Sequence, residues 1–321
     1  GRAWGMVSHL HAVCDTPELR AAYTNALPQV TEFYTRLGAD ERLYAKYKAI
    51  AVADLNSEQK SAHAHALRNF VLSGAELQGE AKARFAAIQE RLAELSQQFS
   101  EHVLDSTDQW SMVVSTEALA GVPADVLAAT AAAAQAQGQT GHLLSLKMPC
   151  YLPVIQYAQD RTLRESIYRA YATRASDLSK DTKLDNSALM TEIVQLRQEE
   201  ARLLGYDNAA QVSLATKMAS SPEKVIEFLR DLAQRARPHA QRDVADMREF
   251  AKQTLNLADP QPWDWTFVGE RLKEARYAFS ESEVKAYFPA PKVLAGLFKI
   301  VETLFEVSIH RQDAPVWHPA V

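Results

Sequence analysis

Between Glu80 and Asp108 the apolar residues Phe85, Ile88, Leu92, Leu95, Phe99 and Val103 recur at steps of three and four. That spacing puts all six on one stripe of a single long helix, and such a stripe has to be buried against other elements. Coiled-coil pairing would use the same period. The flanking charges, however, show no sustained pattern that would specify an outside partner, so the stripe reads as the core of a bundle within this chain.

The rest of the chain follows the same logic. Glycine is scarce, at 11 of 321 residues, and Ala, Leu, Glu, Gln, Arg and Lys recur throughout, so most segments favour helix by intrinsic preference. Asn56 and Ser57 offer a helix start ahead of Leu67, Phe70 and Val71, with Gly74 as the stop. Asp185, Asn186 and Ser187 start a second helix through Leu189, Ile193 and Leu196 to Leu204, which Gly205 ends. Ser221, Pro222 and Glu223 begin a third, with Val225, Phe228, Leu229 and Leu232 expected to face inward and Pro238 expected to kink or end it. A last stripe runs through Leu294, Leu297, Phe298, Val301, Leu304 and Phe305.

Short β-branched runs from Trp110 to Val114 and from His142 to Met148 suggest two strands. Between them, a turn at Gly121-Val122-Pro123 leads into an Ala-rich stretch expected to be a small exposed helix. Pro149 and Pro153 punctuate the junction before a helix from Arg161 to Thr173. The expected fold is mainly α: an irregular multi-helix bundle with a short β-hairpin-like insertion. No repeat of fixed period points to a solenoid.

Several partners and compartments are disfavoured by composition. The formal charge of −5, with no dense Lys/Arg stripe, argues against nucleic acid. The longest mostly apolar runs, such as Val126 to Ala134, are about half the ~20 residues a membrane span needs. Cys14 and Cys150 are too few for a disulfide framework, suit a reducing compartment and are expected to be buried thiols, so a cytoplasmic protein is expected.

Residues with catalytic chemistry are hard to find. A catalytic zinc commonly takes two His one helical turn apart plus a third ligand. Here His9 and His11, like His63 and His65, are two apart, which on a helix turns their rings away from each other. G-x-S-x-G, G-x-x-x-x-G-K-[ST] and G-x-G-x-x-G are all absent. Glu199 and Glu200 are adjacent and diverge on a helix, reading as a solvated face. No catalytic or metal-binding residue is therefore assigned, and substrate-binding residues stay open. Two clusters could line a peptide groove: Tyr151, Tyr157, Tyr168, Tyr171 and Arg174, and then Trp263, Asp264, Tyr277, Tyr287 and Phe288. Capping a core between helices explains them as well and is the preferred reading.

Longer motifs carry a resemblance. They include Pro149-Cys-Tyr-Leu-Pro-Val154, Tyr168-Arg-Ala-Tyr-Ala-Thr-Arg-Ala-Ser-Asp177, Ala201-Arg-Leu-Leu-Gly-Tyr206, Leu214-Ala-Thr-Lys-Met-Ala219 and Arg235-Ala-Arg-Pro238. Pro262-Trp-Asp264, Tyr287-Phe-Pro289 and Trp317-His-Pro319 follow, and Val7 to Leu10, Pro17 to Arg20 and Asn69 to Gly74 precede them. In this order they resemble the thimet-oligopeptidase family of zinc metallopeptidases, most of all its bacterial oligopeptidase A branch. Phe267-Val268 stands where relatives tend to have paired Tyr, and Ala320 where an acidic residue is usual.

The resemblance implies one wall of a two-half peptidase that admits short peptides to a deep channel. In such enzymes an H-E-x-x-H helix and a later Glu hold zinc; that motif is absent here. The chain then reads as an interior fragment, with zinc in the parent protein and none bound by this chain. Residues 1–148 would form an amino-terminal channel-wall domain and 149–321 the helical start of the peptidase domain. Short peptides and the missing catalytic half would be its partners, and an apolar face should be exposed where that half docks. The alternative is a non-catalytic helical scaffold or peptide-binding module.

Overall fold

The computed structural model describes residues 1–179, 181–278 and 281–316. The chain is mainly α-helical with one two-stranded antiparallel sheet, as the sequence predicts. In chain order the helices begin with α1 (Arg2–Val13), α2 (Pro17–Gly38), α3 (Glu41–Lys48), α4 (Ser57–Leu72) and α5 (Gly79–Asp108). Strand β1 (Ser111–Val114), helix α6 (Ala124–Ala136) and strand β2 (His142–Ser145) come next, then α7 (Met148–Tyr157), α8 (Arg161–Ala172), α9 (Ser187–Leu203) and α10 (Ala209–Leu214). The last are α11 (Pro222–Thr254), α12 (Trp265–Tyr277), α13 (Glu281–Lys285) and α14 (Ala290–Phe305).

Two compact units interleave along the chain. The first comprises residues 1–112, 143–151 and 166–244, and the second 113–142, 152–165 and 245–321. A division at residue 148 is a division of the chain, whereas these units are divisions of the packing.

In the first unit α5 carries the core. Ile88 and Leu95 are fully buried against Leu196 of α9, with Leu92, Leu189, Ile193 and Leu203 packed around them. Ion pairs flank this apolar seam: Arg84 grips Glu199 at 2.6 Å and Arg91 grips Glu192 at 2.7 Å. The partners step seven residues forward on one helix and seven back on the other, so α5 and α9 run antiparallel in a two-turn register. Helix α2 also runs antiparallel to α5, because Arg20 bonds Asp105 near the end of α5 while Lys82, near its start, donates to the Ala39 carbonyl. Glu199 and Glu200 accordingly face α5, where Glu200 accepts from Gln89. They form a half-exposed seam rather than the purely solvated face expected.

Local signals explain most boundaries. Asn56 accepts from the Gln59 amide and Gln59 returns a bond to the Asn56 amide, a reciprocal cap on α4. Gly74 takes φ +83 at its end, where a side chain would also crowd the Phe85 ring. In the second unit Gly121 takes φ +91, and an added Cβ would lie 2.5 Å from the Tyr157 carbonyl oxygen. Only glycine suits that turn.

Five expectations need correction. Pro149 and Pro153 lie inside α7 rather than breaking the chain before α8. Pro149 falls in the first turn, where no amide is needed, and Pro149 itself is the exposed residue whose carbonyl Pro153 leaves unbonded, so water can satisfy it. Pro238 likewise does not end α11, since the carbonyl it strands, at Gln234, is on an exposed residue. The Ala-rich α6 is not simply exposed, because Val126, Thr130 and Ala134 are buried. Cys14 and Cys150 are free but only half-buried, with Cys150 Sγ accepting a long 3.4 Å bond from the Ser145 amide.

The fifth correction concerns α11. Phe228, Leu229 and Leu232, expected to face inward, are exposed, Phe228 at 65%. Ile226 beside them is exposed too, so the apolar stripe forms but meets solvent. Helix α14 does the same with Val293, Leu294, Leu297, Phe298, Leu304 and Phe305. Among the described residues no helix is long and apolar enough to cross a membrane.

The seam sets the first test. Leu95→Ala removes a fully buried side chain and should cost about 2–5 kcal/mol, lowering the urea midpoint measured by circular dichroism. Arg84→Ala, on the exposed flank, should leave that midpoint almost unchanged; equal losses would contradict an apolar seam as the source of stability.

Candidate functional site

The first aromatic cluster is partly assembled. At the end of α8 the last carbonyls lack helical partners, and Arg174 Nε donates to the Tyr171 carbonyl at 2.9 Å. Its Nη1 donates to Thr107 Oγ1 at 2.8 Å, and that hydroxyl donates in turn to the Val103 carbonyl. The guanidinium lies 3.7 Å from the Tyr171 ring centre, and Tyr151 stacks on Tyr171 at 4.0 Å and 13°. A ladder of Arg174, Tyr171 and Tyr151 results, with the Tyr171 hydroxyl donating to Met148 Sδ at 3.5 Å.

Burial pushes the Tyr151 phenol up to about 12, helped by the neighbouring Tyr171 and Tyr168 rings. It stays neutral at physiological pH and cannot serve as a base there. Tyr157 is not in the ladder. It belongs to the second unit, where it donates to the buried Glu270, so the five residues do not form a single cluster.

The second cluster is not brought together as an aromatic surface. Asp264 is fully buried, Trp263 is half-buried, and Tyr277, Tyr287 and Phe288 are exposed. Asp264 instead receives Arg161 and Arg164 at 2.8 Å each and accepts from the Gln261 amide at 2.9 Å. Arg164 is almost as buried, and its guanidinium lies 4.1 Å from the centre of Phe267, so this non-phenolic residue supplies a cation-binding ring face. Glu270 holds the other end of the unit, accepting from Gln156 at 2.7 Å and pairing with Lys273 at 2.8 Å. Burial opposes ionisation of Asp264 and Glu270, yet the donors around each hold both below the ordinary carboxylate range.

These partners were not singled out from the sequence. The signal available was Arg161 and Arg164, two like charges one helical turn apart at the start of a helix, which call for an acidic partner. Without the tertiary contact nothing chose Asp264 over other acids.

His11, His63 and His142 make local structural contacts. His9 and His11 do lie on a helix. His11 stacks on Tyr23 at 4.4 Å, and its Nε2 stands 3.7 Å from Asp15 and 3.6 Å from Glu101. His63 Nε2 donates to the Tyr47 carbonyl, and His142 sits between the Thr116 and Thr130 hydroxyls at 3.0 Å each. Among the described residues no group of three His, Cys, Asp or Glu side chains could hold a metal ion. Trp317, His318, Pro319 and Ala320 lie outside the described residues.

The network around Asp264 generates a pH test. Its folded value lies below the unfolded one, about 3.9, so its contribution is present above that value and is lost as pH falls through the folded value. Asp264→Ala leaves the Arg164 charge buried without its counter-ion and should cost about 3–5 kcal/mol at neutral pH. In urea titrations the gap between the two proteins should narrow as pH falls from about 4; a gap constant down to pH 2 would contradict the ion pair.

Comparisons with known proteins agree with this architecture. The pattern of "Peptidase family M3" matches residues 154–321, and that of the "Neurolysin/Thimet oligopeptidase, N-terminal domain" matches residues 1–82. Oligopeptidase A of Salmonella typhimurium is 44% identical over 328 residues, and that of Escherichia coli is 45% identical; each alignment covers 100% of this chain and 48% of the relative. A probable cytosolic oligopeptidase A of Arabidopsis thaliana is 42% identical over 99% of this chain and 47% of its own length. The chain spans about half the length of the curated relatives it matches. With the M3 pattern extending over more than half of its residues, this chain belongs to peptidase family M3.

Proposed function

We propose that the whole protein is a cytoplasmic zinc-dependent oligopeptidase that hydrolyses short peptides inside a deep channel, and that these 321 residues supply channel wall without zinc ligands. The observation that carries this reading is similarity to oligopeptidase A over the whole of this chain, which is about half of the relative, combined with the absence of H-E-x-x-H from these residues. Local bonding of His63 and His142, to a backbone carbonyl and to two threonine hydroxyls, supports it. In the whole enzyme the metal polarises water and the scissile carbonyl, and nothing here substitutes for it.

Residues 1–148 form the amino-terminal wall in this proposal and 149–321 open the peptidase domain. The two family patterns support that division, one lying wholly before residue 148 and the other beginning at 154. The exposed apolar stripes of α11 and α14 support a catalytic half as the chain's main partner, since a soluble protein seldom leaves such faces to water.

Expression of the complete reading frame tests the proposal. The full protein should cleave short peptides, lose that activity to a zinc chelator and regain it on zinc addition. Purified 1–321 should cleave none. Chelator-sensitive hydrolysis by 1–321 alone would refute the assignment of this segment, and a complete frame without H-E-x-x-H would favour a non-catalytic scaffold.

A further inference from the structure

We propose that a cavity of about 560 Å³ at the junction of α5, β1 and α8 binds the C-terminal carboxylate of a short peptide, with Arg174 as its principal donor. This inference rests on the oligopeptidase reading for its choice of ligand. The cavity lies wholly within the first unit, lined by Arg169 and Arg174, by Trp110 and Met112, and by hydroxyl residues that include Ser166 and Ser179.

Charge is the first argument. The chain carries a net −5, yet the cavity wall holds the Arg174 guanidinium and, among the described residues that line it, no carboxylate. A guanidinium bonded only to neutral groups keeps its charge uncompensated, and an anion entering the space supplies the missing counter-charge.

Geometry is the second. Arg174 is fixed on three sides: by the Tyr171 carbonyl through Nε, by Thr107 through Nη1, and by the Tyr171 ring against its plane. Its Nη2 has no partner among the described residues. A guanidinium held in this way has already lost its rotamer freedom, so a ligand that takes the remaining donors does not have to order it. The hydroxyls of Ser166 and Ser179, likewise without a bonded partner among the described residues, add donors on the same wall. Thr173 is occupied, donating to the Arg169 carbonyl.

Shape is the third argument, and it selects a peptide end over a small inorganic anion. Trp110 and Met112 give the cavity an apolar side, and the volume is far larger than one phosphate needs. A terminal residue fits both halves of the wall, its carboxylate on Arg174 and its side chain against Trp110. Asp and Glu side chains share the carboxylate chemistry, and the test separates them from the chain end.

The probe is an N-acetylated tetrapeptide ending in phenylalanine, as the free acid and as the C-terminal amide, titrated calorimetrically into purified 1–321 at low salt. The free acid should bind at least about tenfold more tightly than the amide, the loss expected for one charge-assisted pair. Its affinity should fall as salt is raised. An amide with an internal glutamate should bind no better than the plain amide.

Arg174→Gln should lose about tenfold in affinity for the acid and Arg174→Lys less, while Lys285→Gln, on a side chain of the second unit, should bind normally. If Arg174→Gln fails to fold, Arg174→Lys decides, with a loss of about threefold or more. Equal binding of acid and amide, or wild-type affinity in a folded Arg174→Gln, overturns the proposal. So does inorganic phosphate that binds while the peptide acid fails to displace it. Peptide hydrolysis by the whole protein without acid preference here would sink only this subsite, whereas acid-selective binding in a protein that cleaves no peptide would sink only the enzyme assignment.

Discussion

The antiparallel packing of α9 on α5 is the contact on which the first unit depends. Ile88, Leu95 and Leu196 shed water together, and the stripe that makes this possible repeats at steps of three and four along α5. Because the stripe continues beyond the seam, α5 also takes α2 along its length, fixed at one end by Arg20 with Asp105 and at the other by Lys82 with the Ala39 carbonyl. The flanking pairs set which residues face each other, while the apolar centre supplies most of the free energy.

Where the α5 helix ends, its last turn becomes part of the Arg174 system. Thr107 donates to its own helix and accepts from Arg174, so the rigidity of the seam passes to the guanidinium and on to the Tyr171 and Tyr151 rings. A long helix thus serves both as core and as the support for a charged side chain at the rim of a cavity. In the second unit the same principle appears with opposite burial: Asp264 and Arg164 are enclosed together and hold α8 to the start of α12.

Helices were legible in the sequence because their causes are local. The Asn56 cap, the Gly74 stop and the α5 stripe each depend on residues within a few positions of one another. Burial was less legible, since it depends on what arrives from elsewhere in the chain. Phe228 and Leu232 have the spacing of a core face and stand in solvent, whereas α6, whose composition suggests an exposed helix, buries Val126, Thr130 and Ala134. The prolines misled for a related reason: the lost bond at Pro153 or Pro238 matters only where water cannot replace it, and both stranded carbonyls belong to exposed residues. Of the two aromatic clusters, Arg174 meets Tyr171 because they are neighbours along the chain, while the stacking of Tyr151 from α7 and the separation of Tyr157 depend on tertiary contacts that no spacing encodes.

His63, His142 and His11 are engaged by a carbonyl, by hydroxyls and by a tyrosine ring, which agrees with the proposal that this part of an M3 peptidase shapes the channel and that water is activated elsewhere. Metal content tests that division most directly. Elemental analysis of 1–321, purified in the presence of zinc and dialysed, should find far less than one zinc per chain, whereas the complete reading frame should retain about one. A stoichiometric zinc retained by 1–321, with His ligation seen in its absorption-edge spectrum, would contradict the account.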